Sequence, residues 1–111
     1  MENNIFTSKL NNDKTLGGVF EFEDGTGYFY LYDLNNEESK KVINSIFISK
    51  DENDFTNKEI EIKWSSDQEN VALFVGDVLW AIFNVKEGKT YHKNDINKGL
   101  VNFSSLGFID N

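Results

Sequence analysis

Val19-Phe-Glu-Phe-Glu-Asp24-Gly25-Thr26-Gly-Tyr-Phe-Tyr-Leu-Tyr-Asp33 decides the fold class. Large residues alternate with polar or amphipathic ones on both sides of Asp24-Gly25. Period-two alternation is the mark of a strand with one buried face. Asp-Gly between two such runs favours a two-residue type I′ turn, which needs positive φ at both central positions. That turn fixes the register: Glu23 faces Thr26, Glu21 faces Tyr28 and Phe20 faces Phe29. One face then collects Phe20, Phe22, Phe29 and Leu31 and becomes core. The other collects Glu21, Glu23, Tyr28, Tyr30 and Tyr32.

The same reading extends along the chain. Lys41–Ser49 is a strand rich in Ile and Val. Lys58–Trp64 is another, with Ile60, Ile62 and Trp64 inward. Val71–Val75 and Val78–Val85 flank Gly76-Asp77 as a second hairpin, with Leu73 opposite Trp80 and Phe74 opposite Leu79. Both faces of this hairpin are apolar, so both need cover. The C-terminal tail, with Leu100, Val101, Phe103, Leu106, Phe108 and Ile109, is expected to supply one side of it. The polar stretches Asn35–Lys41 and Lys50–Lys58 read as surface loops too short to divide domains.

The expected architecture is a mainly β, single antiparallel domain over residues 1–111. It has about six strands, arranged as a sandwich or a curved sheet. The core spans about residues 17–93, and a short irregular or helical C-terminal cover spans about 94–111.

Charge and composition remove several function classes. The chain has 111 residues, with 11 Lys+Arg against 19 Asp+Glu and a net charge of −8. A phosphate-gripping face needs concentrated positive charge, so nucleic acid is not an expected partner. An anionic membrane surface is disfavoured for the same reason. Absence of Cys removes disulfides, thiolate metal sites and Cys nucleophiles. All cationic side chains are Lys; Arg is absent. The N-terminus lacks a cationic start followed by an apolar run, and no stretch approaches about 18 continuous apolar residues. The expected location is cytoplasmic.

Residues 18–93 resemble an uncharacterised bacterial domain-of-unknown-function family. The resemblance rests on the Phe-Glu opening, the acidic Gly-containing turn, Thr26-Gly-Tyr-Phe-Tyr30 and Asp33. The later Ile62-Lys-Trp-Ser-Ser-Asp67, Ala72-Leu-Phe-Val-Gly76 and Ala81-Ile-Phe83 add to it. It implies a shared fold unit and brings no activity. Trp64-Ser-x-Asp67 also looks like part of a β-propeller blade, but the chain is too short for four blades.

Candidate chemistry is sparse. Asp51-x-Asn53-Asp54 opens like a calcium loop and fails at Phe55. Gly88-Lys89-Thr90 ends like a phosphate loop, but Phe83 stands where its first Gly belongs. His92 is the sole histidine, and with Asp95 it does not complete a triad; a surface or structural role is expected. No catalytic residue, metal ligand or cofactor is assigned. The three tyrosines are the strongest feature, since amphipathic rings bury area at low entropic cost. The expected function is a non-enzymatic protein-binding module of the inhibitor or immunity type. It would cover a basic protein partner with Glu21, Glu23, Tyr28, Tyr30 and Tyr32. The alternative is a small-molecule or divalent-cation binding domain, using Glu21, Glu23, Asp24 and Asp33 of the acidic first hairpin. A hydrolase built on His92 and Asp95 ranks below both.

Overall fold

A computed structural model describes residues 4–93. The strands are β1 (Ile5–Leu10), β2 (Leu16–Glu23), β3 (Thr26–Asp33), β4 (Val42–Ser49), β5 (Ile60–Trp64), β6 (Asn70–Val75), β7 (Val78–Asn84) and β8 (Lys89–His92). They form two antiparallel four-stranded sheets, ordered β1-β2-β3-β4 and β5-β6-β7-β8. Each sheet is a meander of consecutive hairpins. The expectation of about six strands is therefore corrected to eight described strands, with β1 and β8 added as edge strands. The tail expected to act as cover, 94–111, lies outside the described residues, as does Asp95.

The first hairpin takes the predicted register: Glu23 pairs with Thr26, Glu21 with Tyr28 and Phe20 with Phe29. Asp24 and Gly25 have φ of 53° and 76°, the paired positive values that the turn requires. Phe20, Phe22, Phe29 and Leu31 all face the core and are buried. The second hairpin turns through Gly76-Asp77, where Val75 pairs with Val78 and Phe74 with Leu79. Leu73 does not pair with Trp80, however; its partner is Ala81. A β-bulge gives β7 one extra residue at this point, and that residue is Trp80. A bulge re-aims the side chain it carries. Trp80 joins the core through it, 9% exposed.

The sheets stack so that β1 lies beside β5, while β4 meets β7 and β8. The β1–β5 seam is stitched by polar groups. The Trp64 indole Nε1 donates to the Lys9 carbonyl at 2.9 Å, and the Asn12 N–H donates to Gln68 Oε1 at 2.7 Å. Across the middle the sheets come close at Gly18. A Cβ there would sit 2.8 Å from Val71 Cγ2 and 3.0 Å from Ile62 Cγ2. Both neighbours are β-branched and stiff at χ1, so neither swings aside at low cost. Gly18→Ala is expected to destabilise by about 1–3 kcal/mol through overpacking. Urea unfolding checks this, and an unchanged midpoint would mean that the sheets can separate freely here.

The chain passes from β4 to β5 by crossing the end of the sandwich, from one edge of the first sheet to the opposite edge of the second. One short 3₁₀ turn, Glu38–Lys40, lies between β3 and β4, and a second, Glu52–Asp54, lies in this crossing. The Asp51 side chain caps the second turn by accepting from the Asn53 N–H at 2.9 Å. Ser49 Oγ donates to Asp54 Oδ2 at 2.5 Å. The segment was expected to be surface loop, and most of it is exposed. Phe55 is the exception: it is buried, with its ring centroid 5.2 Å from Phe20, 5.1 Å from Phe22 and 6.0 Å from Trp80.

The β5–β6 turn explains Trp64-Ser-x-Asp67 without a propeller. Buried Ser65 Oγ donates to Asp67 Oδ1 at 2.6 Å and accepts from the Asn70 N–H at 3.0 Å. Asp67 Oδ1 also accepts from the Glu69 N–H at 2.9 Å. These bonds favour the carboxylate, the Ser65 hydroxyl most of all, and hold the Asp67 pKa below its ordinary value.

Candidate surface for a protein partner

The outer face of the first sheet is built from rows of residues that register across four strands. One row runs Phe6, Glu21, Tyr28, Phe47. The next runs Ser8, Val19, Tyr30, Ser45, and the third Leu10, Gly17, Tyr32, Val42. Glu23 follows Glu21 on the same side of β2, beside the Asp24-Gly25 turn. All five residues singled out from the sequence, Glu21, Glu23, Tyr28, Tyr30 and Tyr32, thus share this one face.

The face is open. Phe6 is 68% exposed, Phe47 45% and Tyr28 37%. Leu10, Leu34 and Val42 are also exposed large apolar residues. Tyr28 and Tyr30 lie nearly parallel, with centroids 5.9 Å apart and planes at 20°. Phe47 meets Tyr28 edge-on at 5.8 Å and 74°. Tyr30 occupies the middle row and is half-buried. Its phenol pKa is raised, first by burial and then by the charges of Glu21 and Glu23 and the neighbouring tyrosines. Beside Tyr32, Gly17 leaves a dip of about 210 Å³ bounded by Phe6, Leu10, Val19 and Leu34. The Leu10 side chain packs close over Gly17, where a Cβ would lie 3.0 Å from Leu10 Cδ2.

Phe6, Leu10, Val42 and Phe47 were not among the residues expected on this face. Their contribution depends on β1 and β4 pairing outside the first hairpin. The alternation in Val42-Ile-Asn-Ser-Ile-Phe-Ile-Ser49 is broken by two register shifts against β3, at Gly27/Tyr28 and at Leu31/Tyr32. Each inserts an extra residue, Ile48 and Ile43, so a strict period of two misassigns the faces.

The other candidate groups are dispersed. Asp33 pairs with Leu16 at the far end of β3 from Glu23, which pairs with Thr26. Seven residues of strand separate the two ends, roughly 23 Å. The Asp33 carboxylate accepts from the Asn35 N–H at 2.9 Å and stabilises its own turn. The four carboxylates of the cation alternative are therefore not gathered in one place. Among the described residues no group of three or more His, Asp or Glu is placed to hold a metal ion. Gly88, with φ of 68°, lies in the β7–β8 turn, and His92 ends β8 opposite Ala81. Among the described residues no helix is long and apolar enough to cross a membrane.

Comparison with known families matches residues 1–104 to the model of a family described as an uncharacterized protein conserved in bacteria (DUF2251). This span contains the whole of the first hairpin and all described strands. No curated protein and no solved structure matches the chain.

Proposed function

The chain belongs to that bacterial family, and we propose that it is a cytoplasmic, non-enzymatic protein-binding module of the inhibitor or immunity type. Its partner is a basic protein, and the outer face of the first sheet is the surface that covers it. One observation carries the reading: three tyrosines, Phe6 and Phe47 stand on one open face with Glu21 and Glu23 and, among the described residues, no lysine. Soluble monomers seldom leave so many large rings together in water without a use. The rings supply area to be buried, and the carboxylates supply orientation and a faster encounter with a cationic surface. Tyr30, at the centre of the face, is the expected hot spot, since binding energy concentrates where water is excluded.

The test combines capture of the partner from the native host with association kinetics on two variants. Tyr30→Ala is expected to cost about 2 kcal/mol or more, near a 30-fold loss of affinity, mostly as faster dissociation. Glu21→Lys is expected to slow association and weaken its dependence on ionic strength. Wild-type kinetics in both variants, with folding intact, would place the interface elsewhere.

A further inference from the structure

We propose that the anchor seated on this face is a guanidinium, an arginine of the basic partner lying on the Tyr28–Tyr30 pair beside Glu21, with Glu23 one pleat further towards the turn. The inference rests on the protein-binding reading above and specifies its chemistry.

Tyr28 and Tyr30 are stacked, with planes 20° apart, and Tyr28 is exposed, so the pair offers an outer ring face to a partner. Phe47 props Tyr28 from its edge, which limits how far that ring can turn. Glu21 stands opposite Tyr28 across the β2–β3 ladder, and Glu23 is one pleat further along the same face. Ring faces and carboxylates in such proximity suit a cation that stacks and donates at once. The Tyr30 pKa is raised, first by burial and then by the charge of Glu21, so the carboxylate is felt at the central ring.

Two other rings carry a cation of the protein's own. Lys93 Nζ lies 4.1 Å from the Trp80 ring centroid, and Lys63 Nζ lies 5.1 Å from that of Phe74. Among the described residues no cation lies over the three tyrosines. The surface thus has every element of a cation site except the cation.

Two arguments choose guanidinium over ammonium, and a foreign chain over a second copy. A guanidinium is planar and weakly hydrated, so it stacks on a ring while its fork meets carboxylates in two places. A lysine ammonium is a compact, strongly hydrated charge and gains less from a ring face in water. The chain itself contains no Arg. A second copy could offer only ammonium groups, so the arginine must come from a different protein.

The test is a titration of the full chain, followed by backbone amide and tyrosine ring NMR shifts. The probes are a hexa-arginine and a hexa-lysine peptide of equal charge. The expected result is about tenfold tighter binding of the arginine peptide, with shifts centred on Glu21, Tyr28 and Tyr30. Tyr30→Phe should keep that preference and Tyr28→Leu/Tyr30→Leu should abolish it, while the double variant still attracts both peptides through its carboxylates. Glu21→Gln/Glu23→Gln should weaken both peptides together. Equal affinity for the two peptides in the wild type would overturn the guanidinium anchor and leave the basic-partner reading standing. No shift on this face with either peptide would overturn both. Concentration-dependent self-association through the same residues would overturn the foreign-arginine assignment in favour of a second copy.

Discussion

Phe55→Ala is expected to destabilise the fold by about 3–5 kcal/mol, the largest effect of any single truncation in the crossing segment. The ring closes one end of the sandwich, where the chain crosses between sheets. It touches Phe20 and Phe22 from the first sheet and Trp80 from the second. Gly27 makes room for it: a Cβ there would lie 3.3 Å from Phe55 Cζ. With the ring gone, the backbones that frame the space are held by sheet hydrogen bonds and cannot collapse inward. A cleft of about 500 Å³ already opens beside Phe55, lined by Ile5, Phe22 and Ile60 among others. The new void would join it and admit water onto apolar walls. Urea unfolding measures the loss. A cost below about 1 kcal/mol would show that the ring is peripheral and that the crossing is held by its polar turn instead.

Trp80→Ala should lose a comparable amount, about 3–5 kcal/mol, for a different local reason. The bulge in β7 exists to turn this ring inward, and alanine has no ring to justify the interrupted ladder. The variant therefore loses buried area, its contact with Phe55 and the ring beneath Lys93 Nζ. Because the two rings touch, the double variant Phe55→Ala/Trp80→Ala is expected to cost less than the sum of the single ones. Thermal or urea denaturation of all four forms tests the pair. Strict additivity would mean that the rings occupy independent spaces, and an unchanged midpoint for Trp80→Ala would remove it from the core.

Legibility in the sequence followed the range of the interaction concerned. The two hairpin turns are read from adjacent residues, and Asp24-Gly25 sets the register that puts the three tyrosines beside Glu21. The strand Ile5–Leu10 escapes because its pattern is inverted for an isolated reader. Phe6 and Leu10 point outward, and Lys9 falls on the inner side, at the seam. Lys89–His92 is short and follows a charged turn, so it offers no alternation to recognise. Leu73 pairs with Ala81 and not Trp80 because of a bulge, which leaves no mark in composition. Phe55 sits among Asp, Asn, Glu and Lys, where a single aromatic residue reads as incidental. Its burial depends on a crossing that only the arrangement of the sheets creates. The candidate face was legible along its central hairpin, whereas its apolar margins from β1 and β4 required pairings outside it.

The meander connectivity bears on how the molecule assembles. Every strand pairs only with its neighbours in the chain, so each ladder closes a short loop and forms from local encounters. Residues 5–49 hold the whole of one sheet and residues 60–92 the whole of the other. Contacts between residues far apart in the chain are made chiefly where the two sheets stack. Phe55, in the segment between the halves, touches rings of both sheets, so its contacts tie the two locally paired halves to one another.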